Sequence, residues 1–211
     1  MPRKPNFDRD ELIGRARDLF WKSGWAGTSL KDLEATLQLK PGSFYAAFGS
    51  KDALFALAMD KYVSDGSERL KVLAHTIGAL NALRRYPEMV VENDATPAKA
   101  CMLSKTLLEL QAQDHPLAHK ANRHLSDMEA SFAQLFRQAQ SMGEIDAAHD
   151  PMALARKYQS DLIGLRVSAE RDGIDAKAIA AEIANGLSNL IKLNSPIPFS
   201  PEPQNTVLVN K

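Results

Sequence analysis

Hydroxyl, aromatic and basic residues recur between Thr28 and Lys51, and their chemistry suits contact with phosphate groups. A Thr at the start of a helix offers a hydroxyl beside free backbone N–H groups, which together favour a phosphate oxygen. Tyr45 can bury its ring and direct its hydroxyl outwards, while Lys51 supplies a positive charge. No Ser-His-Asp order, phosphate-binding loop or pair of carboxylates stands at a spacing that suggests catalysis. The sequence therefore predicts a nucleic-acid-binding surface and not an enzyme.

Three short helices are predicted to position these side chains. Asp8 caps the first helix and Gly24 ends it. The second helix begins at residue 28 or 29 and reaches about residue 37, and the third spans 41–48, with Pro at its first position. A long fourth helix begins at Lys51. Two short helices joined by a tight turn indicate a helix-turn-helix.

The stretch that carries a family resemblance is TSLKDLEATLQLKPGSFYAAFGSKDALF. It resembles the DNA-binding domain of the TetR family of bacterial repressors over about the first quarter of the chain. The matching residues are Thr28, Gly42, Ser43, Phe44, Tyr45, Phe48 and Lys51. The resemblance implies an all-α fold, with a helix-turn-helix domain over 1–50 and a larger helical effector-binding and dimerisation domain over 51–194. Residues 51–66 would form the connecting helix and 195–211 a Pro-rich tail.

Several roles on double-stranded DNA follow from this resemblance. Ser43 and Lys40 can reach base edges, and Ala46 or Ala47 can touch a thymine methyl. Arg3 and Lys4 precede the first helix and can act as an arm on the backbone or in the minor groove. The residues expected to contact DNA are Arg3, Lys4, Thr28, Lys40, Pro41, Gly42, Ser43, Phe44, Tyr45, Ala46, Ser50 and Lys51.

Two positions depart from the family pattern. Gln38 stands in the turn where the family often has Gly, and Lys40 stands where it often has Ser or Thr before the third helix. The third helix also contains no Arg, Asn or Gln, the strongest base readers. Specificity is therefore expected to rest on DNA shape and backbone contacts.

The helical body is expected to hold a homodimer interface and a pocket for an unidentified small-molecule effector. In the family, the last two long helices pair across the dimer, which here are 151–171 and 175–193. The residues predicted for the dimer interface are Leu154, Tyr158, Leu162, Leu165, Ile179, Ile183, Leu187 and Leu190. The residues predicted for the pocket are Met89, Met102, Leu103, Leu107, Met128, Phe132 and Leu135. Ordinary core packing is the alternative for both sets.

Composition limits the class of protein. The 211 residues carry no net charge, yet residues 1–51 hold nine cations and six anions, which leaves a net charge of +3 on the head and −3 on the rest. No run approaches the roughly 20 apolar residues of a membrane span. The start has no apolar stretch typical of a signal peptide, so a cytoplasmic protein is expected.

Cys101 and three histidines are the remaining candidates for chemistry. Cys101 begins a predicted helix, where a lowered thiol pKa would suit a thiol sensor, although an inert buried Cys is the alternative. His115 and His119 share a helix face that His124 does not, so no metal site is predicted, and no cofactor either.

Three classes of function compete. The first is a ligand-responsive repressor that binds a palindromic operator as a dimer. The second is a helical enzyme in which the N-terminal motif is incidental. The third is a helical scaffold or interaction protein with a vestigial DNA-binding head, which the zero net charge keeps open.

Overall fold

The computed structural model of the chain describes residues 8–190. Within this range the secondary structure is entirely helical, as the sequence predicts. Arg3, Lys4 and the Pro-rich tail lie outside the described residues.

The first three helices are α1 (Arg9–Ser23), α2 (Leu30–Leu37) and α3 (Pro41–Phe48). The Asp8 side chain accepts a hydrogen bond from the backbone N–H of Asp10 at 2.9 Å, and Gly24 ends α1 at a positive φ of 77°. Both ends of α1 and both ends of α3 therefore lie where the sequence predicts them.

The remaining helices form the body. They are α4 (Lys51–Ile77), α5 (Ala79–Glu92), α6 (Met102–Leu110), α7 (Pro116–Ser141), α8 (Pro151–Ser168) and α9 (Ala176–Ser188). Ser50, Asp150 and Asp175 cap α4, α8 and α9, each accepting a hydrogen bond from a backbone N–H of the first turn. The connecting helix α4 is longer than the predicted 51–66, because its apolar face continues to Leu70 in the second core.

Helix α5 runs through Pro87, at a position where a proline ordinarily ends or kinks a helix. The proline has no N–H, so the carbonyl of Leu83 one turn earlier loses its intrahelical donor. The Tyr158 hydroxyl donates to that carbonyl at 2.7 Å from the neighbouring helix α8. A buried donor thus replaces the missing backbone bond, and burial raises the pKa of this hydroxyl well above its usual range.

Two apolar cores fill the chain. The first joins α1, α2, α3 and the start of α4 to α6 and the beginning of α7. The second joins α5, α8, α9 and the second half of α7, with Leu70 of α4. The first core crosses residue 50, so α6 packs with the N-terminal helices although it lies far from them in sequence. We still propose residue 50 as the boundary along the sequence between the DNA-binding domain and the helical body.

Candidate nucleic-acid interface and effector cavity

The N-terminus of α3 is open to a ligand. Its cap residue Lys40 makes no side-chain hydrogen bond to the first turn, and that turn holds no acidic residue. Lys40, Pro41, Gly42 and Ser43 are all exposed. Pro41 has no N–H, so the free donors there are the backbone N–H groups of Gly42 and Ser43. A Cβ on Gly42 would meet no atom within 4 Å, which shows open space in front of this turn.

Helix α3 is held by one face and exposed on the other. Phe44 and Phe48 are buried, with their ring centroids 5.9 Å apart, so the predicted contact of Phe44 with DNA is wrong and its ring belongs to the core. Tyr45 is 50% exposed and meets Phe44 edge-on at 5.5 Å, so its hydroxyl faces solvent while its ring is supported from below. Ala46 is exposed as well. The buried phenylalanines fix the orientation in which Ser43, Tyr45 and Ala46 are presented.

Thr28 does not lie on this surface. It is only 1% exposed, and its hydroxyl donates to the Gly24 carbonyl at 2.7 Å. Ser29 is the cap of α2, and it forms a capping box with Asp32. Hydrogen bonds from Ser29 lower the pKa of the Asp32 carboxyl, so a carboxylate already occupies this helix N-terminus. The expectation that Thr28 binds phosphate is wrong, because Thr28 closes the end of α1.

The turn between α2 and α3 is built on Gln38. It adopts a left-handed conformation, with φ 55° and ψ 38°, at the position where the family often has Gly. The N–H of Leu39 donates to the Glu34 carbonyl at 3.0 Å and closes the helix end. The turn forms despite the side chain.

Ser50 and Lys51 have structural partners next to this surface. The Ser50 hydroxyl accepts from the Ala53 N–H at 3.0 Å, and the Lys51 ammonium lies 4.3 Å from the centre of the Trp25 ring. The Trp25 indole N–H donates to Asp52 at 2.8 Å. Trp25 therefore holds Lys51 in place at the start of α4.

A cavity of about 720 Å³ opens in the body between α4, α5, α7 and α8. Ligand pockets commonly measure roughly 300–1,000 Å³, so this volume suits a small organic molecule. Of the predicted walls, Met89, Met128, Phe132 and Leu135 line it. Met102, Leu103 and Leu107 instead belong to the first core under α1, because α6 packs towards the N-terminal helices.

Several polar and aromatic wall residues were missed by the sequence analysis, and five of them bear on the chemistry of the cavity. These five are Trp21, Tyr62, Tyr86, Gln159 and Arg166. A signal existed for two of them, because Gln159 and Arg166 are seven residues apart and so share the apolar stripe of α8. Polar residues on a buried helix face often mark a binding site.

Cys101 also lines the cavity, at the position before α6. It is 3% exposed, and its thiol lies beside the Tyr62 hydroxyl. Its predicted role as a thiol sensor stays a prediction.

Helix α6 links the cavity wall to the end of α1. The Trp21 indole N–H donates to the Ala100 carbonyl at 2.6 Å, next to Cys101. Further along α6, the Lys105 ammonium donates to the Trp21 carbonyl at 2.8 Å. Glu109 accepts from the backbone N–H groups of Trp25 and Ala26 at 3.0 and 2.7 Å. These bonds attach α6 to the segment between α1 and α2.

The predicted dimer residues need correction. Tyr158, Leu162, Leu165 and Leu187 are buried in the chain's own second core and have almost no surface left for a partner. The strongest apolar stripe of each helix marks its inner face. Leu154, Ile179, Ile183 and Leu190 pack partly against the same core. The outward faces of α8 and α9 carry several small residues instead, and among their exposed residues are Ser160, Gly164, Val167, Ala178 and Gly186.

The three histidines make separate contacts. The His115 ring nitrogen accepts from the Leu117 N–H and caps α7, while His119 and His124 meet Asp114 and Asp60, each at 2.9 Å. Within residues 8–190 no three His, Cys, Asp or Glu side chains are grouped as a metal would require. In the same range, no helix is both long and apolar enough to cross a membrane.

Comparison with known proteins adds independent evidence. The family model described as "Bacterial regulatory proteins, tetR family" matches residues 12–58, and that of the "Tetracyclin repressor-like, C-terminal domain" matches 79–178. The HTH-type transcriptional repressor ComR of Escherichia coli (strain K12) is 27% identical over 79% of this chain and 81% of its own. YezE of Bacillus subtilis (strain 168), an uncharacterized HTH-type transcriptional regulator, is 28% identical over 82% of this chain and 93% of its own.

Solved structures agree with these matches. A cysteine-substituted variant of the TetR family transcriptional regulator CifR, complexed with 26-base-pair operator DNA, superposes with a TM-score of 0.74 at 28% identity. The match covers 88% of this chain and 97% of that one. Reduced NemR of E. coli shares the fold with a TM-score of 0.74, at 17% identity over 87% of this chain and 96% of its own. The two family models together match most of the chain, which therefore belongs to the TetR family of bacterial regulatory proteins.

Proposed function

We propose that this chain is a ligand-responsive transcriptional repressor that binds a palindromic operator as a homodimer in the cytoplasm. The observation that carries the proposal is the uncapped, exposed N-terminus of α3, which lacks acidic residues and is presented by two buried phenylalanines. Helix N-termini of this kind favour phosphate oxygens. CifR, a relative at 28% identity, is complexed with operator DNA, which supports the same use here.

The contacts on DNA divide by chemistry. The N–H groups of Gly42 and Ser43 and the Tyr45 hydroxyl bind phosphate oxygens and set the orientation of α3 in the major groove. Lys40, the Ser43 hydroxyl and the Ala46 methyl group face base edges. Few of these groups discriminate bases strongly, so much of the specificity comes from DNA shape.

The dimer forms through the outward faces of α8 and α9. Ser160, Gly164 and Gly186 let the helices of two copies approach closely, because small residues leave little between the backbones. The dimer presents two α3 helices about one DNA turn, or ~34 Å, apart, which matches a palindrome.

The effector acts through α6. A ligand that fills the cavity contacts the wall beside Cys101, and α6 carries any displacement to Lys105 and Glu109 at the end of α1. Ligand binding favours a conformation in which the two α3 helices no longer match the groove spacing, and DNA affinity falls.

Fluorescence anisotropy on duplex DNA from the region upstream of the chain's own gene tests this function. We expect nanomolar binding that weakens steeply with salt, because phosphate contacts release counterions. Lys40→Gln relaxes the base preference at the position that Lys40 faces, and Tyr45→Phe weakens binding to all sequences alike. Lack of sequence-preferring binding to any duplex in a random library would reject the repressor and favour the scaffold.

A further inference from the structure

Arg166 brings an unneutralised cation into the effector cavity, which it lines from α8. One guanidinium N–H donates to the Lys99 carbonyl at 3.1 Å, and the Tyr86 hydroxyl lies beside the group. No carboxylate within residues 8–190 forms an ion pair with it. Glu170, one turn further along, instead accepts from the backbone N–H groups of Lys99 and Ala100, both at 2.7 Å. A guanidinium has five N–H donors, so most of them remain available.

Tyr62 lines the same cavity and places a second hydrogen-bond donor near Arg166. Burial raises the pKa of the Tyr62 hydroxyl above its usual range, and the Cys101 thiol acts in the same direction while Arg166 opposes it. Both hydroxyl and guanidinium can therefore donate hydrogen bonds into the cavity. An anion that accepts from them would gain charge-assisted bonds in a partly dry site.

Gln159 adds an acceptor on the same face of α8. Its side-chain NH₂ donates to the Leu125 carbonyl at 3.0 Å, which fixes the oxygen on the other side. That oxygen, Oε1, has no hydrogen-bond partner, and the residue is only 8% exposed. A buried acceptor without a donor is unfavourable, so the site favours a ligand that supplies one.

The rest of the cavity wall is mostly apolar, with neutral polar residues such as Thr96 and Ser131 and two further cations. Leu70, Val90 and Phe132 are among its walls, and Arg69 and Lys71 line the cavity from α4. The acidic wall residue Glu92 accepts from Arg85 at 2.8 Å. The charge around the cavity therefore complements an anion on an apolar body.

We propose that the effector is a small organic acid, with its anionic head on Arg166 and a hydroxyl or N–H group donating to Gln159 Oε1. Its apolar body fills the space between α5 and α7. This inference rests on the effector cavity of the proposed function and gives that cavity its ligand class.

A matched pair of dyes tests the anionic head. Anilinonaphthalene sulfonate and its uncharged parent N-phenylnaphthylamine share an apolar body and an N–H donor and differ in the anion. We expect the full-length protein to bind the sulfonate at least about tenfold more tightly. Arg166→Gln removes this preference, whereas Arg137→Gln, on the exposed surface of α7, retains it. Thermal unfolding of each variant verifies its fold.

A second series tests the donor and extends the result to carboxylates. Displacement of the sulfonate dye by para-hydroxycinnamate is compared with displacement by its methyl ester and by cinnamate. The free acid should displace better than the ester, and the hydroxyl should improve binding about fivefold or more, close to the value of one hydrogen bond. Gln159→Leu removes the advantage of the hydroxyl and keeps that of the acid.

The outcomes separate the ligand class from the repressor function. Equal binding of the two dyes, a preference that survives Arg166→Gln, or failure of both dyes to bind overturns the organic-acid proposal, even where operator binding is intact. If the protein binds no operator DNA but shows the expected dye preference, the repressor function is rejected and the proposed acid site is retained.

Discussion

Gln38 holds a left-handed backbone that costs a non-glycine residue about 1 kcal/mol. Gln38→Gly should therefore raise the free energy of unfolding, by up to about 1 kcal/mol, less the entropy that glycine adds to the unfolded chain. Urea denaturation measures the change. Gln134→Gly, in the middle of α7, should lower the same quantity by about 1 kcal/mol. Equal effects at the two positions would contradict the assignment of strain to the turn.

A substitution at Gly42 should stabilise the fold and weaken DNA binding at the same time. Gly42→Glu places a carboxylate on the free N–H groups of α3, which stabilises the helix by about 0.3–1 kcal/mol relative to Gly42→Gln. The same charge repels phosphate, so operator affinity should be at least about tenfold weaker than in the glutamine variant. Chemical denaturation and anisotropy give the two quantities. Similar affinity of both variants would show that phosphate does not approach this turn.

Residue-scale prediction succeeded where the chemistry is local. The cap at Asp8 and the end at Gly24 follow from the preferences of single residues and their neighbours in sequence, whereas the turn at Gln38 was expected from the family pattern. Thr28 could not be placed in this way. Its hydroxyl binds a carbonyl four residues earlier, and that bond depends on how the chain leaves α1.

At the scale of the element, α5 depends on α8. Tyr158→Phe leaves the Leu83 carbonyl buried without a donor and should cost about 1–3 kcal/mol of unfolding free energy. In a Pro87→Ala background the helix regains its own N–H donor, so the cost of Tyr158→Phe should shrink. A double-mutant cycle by urea denaturation measures this coupling. Independent effects would mean that the hydroxyl does not compensate for Pro87.

Helix α6 depends on α1 in a comparable way. Glu109→Gln removes the charge that holds the N–H groups of Trp25 and Ala26, and we expect those two amides to exchange hydrogen faster. The unfolding free energy should fall by about 1–2 kcal/mol. Glu68→Gln, at an exposed position of α4, serves as the control. Unchanged exchange at both amides would remove α6 from the proposed coupling.

The bonds of α5 and α6 explain a limit of sequence analysis at this scale. Pro87 suggests a break, and only the distant Tyr158 hydroxyl makes a continuous helix acceptable. Likewise, the apolar stripe of α6 indicates burial but not the partner, so three of its residues were assigned to the cavity and lie in the first core.

At the scale of the whole molecule, the helix faces that remain exposed determine where a second copy can bind. Gly164→Arg adds a long charged side chain where a Cβ meets nothing within 4 Å, so the isolated chain should fold normally. The dimer should dissociate, because the outward face of α8 can no longer approach its copy. Light scattering after size exclusion measures the mass, and Ala130→Arg on exposed α7 is the control. A dimer that persists in Gly164→Arg would move the interface elsewhere.

The fold class and family are correct predictions from the sequence, since helical periodicity and one motif are local in the chain. Tyr158, Leu162, Leu165 and Leu187 were assigned to the dimer interface and lie in the core, because the apolar stripe of an amphipathic helix marks its buried face. Four of the seven residues predicted for the cavity line it, and three lie in the first core. Apolar cavity walls and core residues have the same pattern in a sequence.

The shared first core has a consequence for protein engineering. Exchanging residues up to 50 between relatives is an obvious way to transplant operator preference, yet Leu110 and Leu117 of the body complete the packing around these helices. A graft cut at residue 50 would place foreign side chains against them, and the bonds from Lys105 and Glu109 would form only where the grafted backbone follows the same path. Portability of the DNA-binding part therefore requires that α6 and the first turns of α7 travel with it.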